Sequence, residues 1–314
     1  GIIIYCKLRF KKLEFYRKEK ERFIMNAKIK LSLLALAGVS MLASCGAKGE
    51  TLTRAQAETE LNSYVGKAKT PTKFTYTKKT VAKKTGINSA VVDTENLYGY
   101  RHFDIALGET YEAGSTYYVY KSEGGKFLFG AEVGSAKKYC EVTETAVKAA
   151  LAAGVAALTT YTNGQATGTA KWLAGFDKAE GWMEANSKDK TNKETYKDSA
   201  FGYGEGHAGG SVKGYIKSES YTKYADGSMK ADILAVYPQN DKQVAMGGEN
   251  CIYEWENYQL TRLYNNYQDY EETMDWAKAD EAKKPIDLNT WTKDLTLAAE
   301  GLLVFASFGS SFKD

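Results

Sequence analysis

The chain changes its hydrophobic period several times, and each change predicts a different element. An apolar run of about a dozen residues, Leu31 to Leu42, follows Lys28 and Lys30. A spanning helix needs about 20 apolar residues, so this run is too short to be a comfortable permanent anchor. Thr53 with Gln56 three residues later forms a capping box, and Ala57, Leu61, Tyr64 and Val65 then fall on one helical stripe. That predicts a helix to about Lys67, with Pro71 beyond its end. The period then drops to two. Phe74 and Tyr76 alternate with Thr and Lys, Ala90 to Val92 gives a second strand, and Asn96 to Leu107 a third of mixed alternation. Thr116–Lys121 and Lys126–Gly130 flank Gly124-Gly125 and predict a β-hairpin. Lys138 to Val142 is a further strand.

From Thr143 to Tyr161 the pattern turns helical again, with Val147, Leu151, Val155 and Leu158 in register and mostly Ala around them. A helix apolar nearly all round is a buried one. Asn163 to Ala170 reads as a Gly/Thr loop. Lys171 to Asn186 reads as a second helix with Trp172, Phe176, Ala179 and Met183 on one face, weakened by Gly175 and Gly181. Residues 187–210 are polar and then Gly-rich, a long loop and a boundary between two halves. Val212–Tyr224 and Met229–Tyr237 predict a hairpin about Asp226-Gly227. Strands follow over Gln243–Met246 and Cys251–Leu263. Tyr267 to Lys284 reads as a helix with Met274 and Ala277 inward, and Trp291 to Phe305 as an amphipathic helix with Leu295, Ala298, Ala299 and Leu302 on its face. The tail from Gly309 to Asp314 is expected to fray. Phe74–Gly86 and Tyr215–Gly227 each run thirteen Thr/Ser/Lys/Tyr-rich residues into a turn glycine, so a helix–meander–helix unit is a candidate duplication.

The first apolar run ends Leu42-Ala43-Ser44-Cys45-Gly46. A basic start, a short apolar core and small residues at the end make a secretory signal. The cysteine at that place resembles the lipobox of bacterial lipoproteins. The resemblance implies a signal peptide over 25–44, cleavage between Ser44 and Cys45, and a diacylglyceryl group on the Cys45 thiol. The mature protein would then be held at the cell membrane, facing the extracytoplasmic side. One acyl chain holds only marginally and two hold stably, so no spanning helix would be needed. Residues 45–52 would be a tether and 53–314 the globular part. Residues 1–24 precede the signal. Lys18 to Arg22 require purine-rich codons just ahead of Met25, as a ribosome-binding site would. The stretch is expected to be translated upstream DNA, or else a basic extension that touches anionic lipid.

Charge then changes its meaning. The chain has 42 Lys+Arg and 39 Asp+Glu; residues 1–44 hold 10 and 3 of them, leaving 32 against 36, a net charge of −4. Nucleic-acid binding needs a basic patch on the folded domain, and this composition excludes it as an expectation. About 270 residues remain, enough for one large domain or two small ones. Tyr and Thr at this density favour half-buried sheet surfaces. Of four cysteines, Cys140 and Cys251 are left in the globular part. In an oxidising compartment they are candidates for a disulfide; the alternative is two buried thiols.

Catalytic chemistry is poorly supplied. The sequence has no nucleophile elbow, Walker loop, HExxH or CxxC. Its two histidines, His102 and His207, have no clustered partners, so neither a metal nor a cofactor is expected. Paired carboxylates such as Glu271-Glu272 read as solvated helix surface, although two distant carboxylates of a glycosidase would leave no local trace.

The element order predicts an α+β fold: a curved, mostly antiparallel β-sheet with helices packed on one face. This layout is similar to the LolA/LppX lipoprotein-carrier fold, which implies an apolar cavity between sheet and helices for an acyl ligand. Val147, Leu151, Val155 and Trp172 are the candidates to line it. The function expected first is a membrane-anchored, non-enzymatic binding protein for an apolar or amphipathic ligand. The alternative is a surface adhesin or assembly lipoprotein that binds a macromolecule or a glycan through exposed aromatics.

Overall fold

The chain enters the fold through a two-residue strand, β1 (Glu50–Thr51), and a short helix, α1 (Arg54–Asn62). The computed structural model describes residues 49–107, 109–186, 201–202, 211–212, 215–236, 238–239, 244–245, 249–280, 283–297 and 301–308. The capping box is formed as expected: Gln56 N–H donates to Thr53 Oγ1 at 3.3 Å, and Thr53 N–H to Gln56 Oε1 at 2.8 Å. Ala57, Leu61 and Tyr64 are buried, but the helix stops at Ser63 rather than Lys67. The Ser63 hydroxyl bonds back to Glu60 O, Gly66 turns the chain at φ 82°, and Val65 is left exposed.

Six strands follow as a meander: β2 (Lys73–Lys79), β3 (Gly86–Asp93), β4 (Tyr98–Phe103), β5 (Ser115–Lys121), β6 (Phe127–Val133) and β7 (Ala136–Val142). A single long helix, α2 (Glu144–Asn186), leads to short ribbon strands β8 (Phe201–Gly202) and β9 (Ser211–Val212). A second meander holds β10 (Tyr215–Lys223), β11 (Met229–Val236), β14 (Glu249–Glu256), β15 (Gln259–Asn265) and β16 (Tyr270–Asp275), with the ribbon β12 (Pro238–Gln239) and β13 (Val244–Ala245) inserted in it. A last strand, β17 (Thr292–Lys293), precedes a 3-10 helix, Gly301–Ala306.

The two meanders join edge to edge where β16 pairs with β2. The result is one open, curved sheet of thirteen strands in the order β1-β10-β11-β14-β15-β16-β2-β3-β4-β5-β6-β7-β17. Every pairing in it is antiparallel except that of β17 with β7. The fold is therefore α+β, and 49–314 forms one compact unit. The two Thr/Ser/Lys/Tyr stretches noted above open the two meanders, as β2 and β10 with their following turns.

One face of the sheet packs on α2. Phe74, Val92, Phe103, Val119, Phe129, Ile233 and Leu263 share a cluster there with Val147, Leu151, Val155, Leu158, Leu173 and Phe176. The loop expected at 163–170 is instead a continuation of α2. Thr162, Thr167 and Thr169 turn their hydroxyls onto carbonyls three or four residues back, and Thr162, Ala166, Thr169 and Ala170 are buried. Hydroxyls satisfied in this way, together with burial, outweigh the poor helix propensity of Gly and Thr.

In the first meander the opposite face is covered too. Val91, Tyr98, Tyr100, Tyr118, Tyr120, Leu128, Tyr139 and Trp291 form a second cluster, against which Ala279 and Ile286 pack. The stretch between β16 and β17 makes this cover, running from the middle of the sheet to its β7 edge. Tyr98 Oη donates to Lys283 O at 3.0 Å, Lys283 Nζ to Tyr100 Oη at 3.0 Å, and Ile286 N–H to Tyr120 Oη at 2.7 Å. The chain then rounds the edge at β17 and returns to the α2 face, where Val304 and Phe305 are buried. These observations correct two expected helices. Residues 267–284 contain β16 instead, and 291–305 hold β17 and the 3-10 helix. Leu295, expected on an apolar face, is 74% exposed.

Gly154 lets α2 approach this returning segment. A Cβ there would lie 2.5 Å from Phe305 O. Glycine to alanine inside a helix ordinarily gains about 1 kcal/mol. Gly154→Ala is expected to lose about 1–3 kcal/mol instead, because the contact is with backbone. Urea denaturation of the variant beside the parent measures the sign.

Candidate functional site

The four residues expected to line an apolar cavity lie on the sheet-facing side of α2. Their exposures are 0% for Val147 and Leu151, 3% for Val155 and 5% for Trp172, and all belong to the main packed cluster. Trp172 meets Phe176 edge-on at 5.1 Å between centroids. They pack on sheet side chains and on the 3-10 helix, and none of them lines the cleft described below.

Cys140 lies on β7 and Cys251 on β14, with β15, β16, β2, β3, β4, β5 and β6 between them in the sheet. Both are buried and neither is disulfide-bonded, which corrects the disulfide candidate. A disulfide needs Cα atoms within about 7 Å, and these strands do not meet. Burial pushes the Cys140 thiol up, which disfavours its thiolate. Cys45, the lipid-attachment candidate, and His207 lie outside the described residues. His102 sits on β4 with Nδ1 2.8 Å from Thr116 Oγ1 and Nε2 3.4 Å from Asp104 Oδ1. Among the described residues no group of three His, Cys, Asp or Glu could hold a metal ion, and no helix is long and apolar enough to cross a membrane.

Three buried charged residues stand out on the α2 face, Glu272, Lys78 and Arg101. Glu272 of β16 is the direct cross-strand partner of Lys78 of β2, at the join of the two meanders. Its Oε1 lies 3.5 Å from Lys78 Nζ and accepts from Tyr76 Oη at 2.9 Å, while Oε2 accepts from Tyr161 Oη of α2 at 2.5 Å. With Glu272 at 0% exposure and Lys78 at 5%, this largely buried group ties sheet to helix. Arg101 of β4 is 1% exposed and stacks under Phe308 at 4.2 Å. Burial pulls its guanidinium down to about 10.

An open cleft of about 670 Å³ lies at one end of the strands. Its walls come from the α1–β2 connection (67–71), the β14–β15 turn (256–259, with Thr261) and the end of β16 (274–277). Glu256 pairs with Gln259, so Asn257-Tyr258 is a two-residue hairpin turn. Both residues have positive φ, 50° and 66°. A tight turn of this kind requires that conformation and usually recruits Gly or Asn for it. Tyr258 is held in it by neighbours: its ring meets Tyr64 edge-on at 5.3 Å, and Lys67 Nζ lies 5.2 Å from its centroid. Strained residues of this kind cluster at binding sites.

Trp276 is half-buried. Its Nε1 donates to Leu260 O at 2.9 Å, and its ring meets Phe74 at 6.0 Å. Asp275 Oδ1 accepts from Ala277 N–H at 3.0 Å and Lys278 N–H at 3.1 Å, which fixes the carboxylate at the rim. Gln259 is 8% exposed, and its amide nitrogen is buried with no hydrogen-bond partner among the described residues. Lys67 and Lys69 balance Glu256 and Asp275. Sequence reading missed this site. Tyr258 falls inside the strand expected over Cys251–Leu263, and Trp276 inside the helix expected over Tyr267–Lys284. The one available signal was a two-residue gap, Asn257-Tyr258, between alternating runs, and it lacks the glycine that would have marked a turn.

Comparison with protein-family models, with curated proteins and with solved structures finds no match for this chain.

Proposed function

We propose that this chain is a lipid-anchored, non-enzymatic binding protein on the extracytoplasmic face of a cell membrane, and that it takes a polar ligand in the cleft at the strand ends. The tether reading rests on the basic start, the short apolar run and Leu42-Ala43-Ser44-Cys45. The binding reading is carried by one observation: a cleft of about 670 Å³ walled by aromatic rings, both signs of charge and an unpartnered buried amide. Concave sites with a few converging polar groups are the usual places for ligands. An acyl ligand between the sheet and α2, the first expectation from the sequence, would have to displace Val147, Leu151, Val155 and Trp172 from contacts they already make. The alternative reading, recognition of a glycan or macromolecule by aromatics, is therefore the better supported. The anchor is tested by detergent-phase partitioning of the full chain and of Cys45→Ala, each expressed in a lipoprotein-processing bacterium. The parent is expected in the detergent phase and the variant in the aqueous phase. Equal partitioning of the two into detergent would remove Cys45 as the anchor.

A further inference from the structure

We infer that the cleft binds a neutral saccharide chain; this rests on the reading of the cleft as the binding site and names its ligand class. Three groups carry the inference. The Gln259 amide nitrogen is a buried donor with no partner among the described residues. Such a donor costs stability as long as it stays unmade, and native folds keep few of them. Gln259 lines the cleft, and a turn of its side chain toward a ligand oxygen there would satisfy it. At the rim, Asp275 holds one carboxylate oxygen on two backbone N–H groups and has no partner for the other among the described residues, so it can accept from a ligand hydroxyl. Trp276, also in the cleft wall, has a ring whose orientation is fixed by its bond to Leu260 O.

A sugar ring answers all three. Its hydroxyls donate and accept, as Asp275 and Gln259 in turn require, and its C–H-rich face lies against an aromatic ring. Other ligand classes fit less well. An aliphatic chain leaves Gln259 unsatisfied. A polyanion meets Glu256 and Asp275, which cancel Lys67 and Lys69. An extended peptide recognises an unpaired strand edge, and the sheet edges are β1 and β17, whereas the cleft is walled by a connection, a hairpin turn and a strand end. The volume lies within the usual range of about 300–1,000 Å³ for a small-molecule site.

The test is titration calorimetry of the full chain in detergent micelles against cellotetraose, chitotetraose, maltotetraose and mannotetraose. A polyanion (heparin) and a mixed peptide library serve as competitors. At least one neutral tetrasaccharide is expected to bind. Gln259→Leu is expected to weaken it about tenfold, the loss of one hydrogen bond, with a melting temperature equal to or above the parent's because the orphan donor is gone. Trp276→Ala is expected to abolish binding and Trp276→Phe to keep part of it. Binding of the peptide library or heparin alone, lost in Gln259→Leu, would overturn the saccharide class while leaving the cleft as the binding site. Saccharide binding unaffected by any of these substitutions would overturn the cleft itself. Absence of binding by all four tetrasaccharides would also overturn the inference.

Discussion

Glu272→Ala is expected to destabilise the domain by about 3–5 kcal/mol, the usual cost of removing one partner of a buried ion pair. The carboxylate is the cross-strand partner of Lys78 where the two meanders join, and it takes hydroxyl donors from Tyr76 and Tyr161 as well. Its loss leaves the Lys78 ammonium buried without this carboxylate, over the Tyr270 ring at 4.0 Å. Burial already pulls the Lys78 amine below its ordinary value even with Glu272 present. The double variant Lys78→Met/Glu272→Met is expected to recover most of the loss, since two apolar side chains carry no desolvation penalty. A double-mutant cycle by urea denaturation measures the coupling. If Glu272→Ala cost less than about 1 kcal/mol, the join between the meanders would not depend on this pair.

Above about pH 10 the domain is expected to lose stability steeply. Tyr64, Tyr76, Tyr117, Tyr118, Tyr120, Tyr161 and Tyr221 all hold their hydroxyl protons more tightly than a free tyrosine does, with burial as the first cause in each. Their folded values lie above the unfolded one, so their contribution is complete below the unfolded value of about 10 and falls as pH rises beyond it. In that range the unfolded chain releases protons that the folded chain keeps. Tyr76 and Tyr161, buried around Glu272, are expected to cost together about 3 kcal/mol for each pH unit. Lys78 works in the opposite direction. Its folded value is lowered, so the unfolded chain binds the extra proton and this contribution rises with pH up to about 10.4. Denaturant midpoints measured from about pH 8 to 11.5, with tyrosinate absorbance followed in parallel, should show ionisation and unfolding together. Ionisation of the full tyrosine complement in the still-folded protein near pH 10 would contradict the burial of these side chains.

The strands were legible in the sequence wherever their two faces differ in chemistry or a turn residue marks the end. Phe74 and Tyr76, the hairpin about Gly124-Gly125 and the hairpin about Asp226-Gly227 are all placed as the alternation requires. β16 was hidden by its own chemistry. Tyr270, Glu272 and Met274 alternate inward, but a buried glutamate reads as a solvated one, and Glu271-Glu272 reads as a helix surface. The continuity of α2 was hidden because Thr hydroxyls satisfied within the helix are indistinguishable by composition from those of a loop. The cover over the tyrosine face has no period to detect: it is irregular backbone held by Tyr98, Tyr100 and Tyr120 hydroxyls. The candidate cavity lining shows a related limit of pattern reading. An apolar stripe on a helix shows that something covers it, and only the structure shows that the sheet and the returning 3-10 helix already do. The cleft could not be read at all, since residues 67–71, 256–259 and 274–277 converge only through the pairings of β14, β15 and β16 with β2.

The proposed lipid anchor would decide where any ligand is met, and mass spectrometry of the N-terminal peptide of the membrane-extracted protein tests it most directly. The expected peptide begins at Cys45 and carries a thioether-linked diacylglyceryl group on its sulfur. A mature chain that begins upstream of Cys45, or a Cys45 bearing a free thiol, would contradict it.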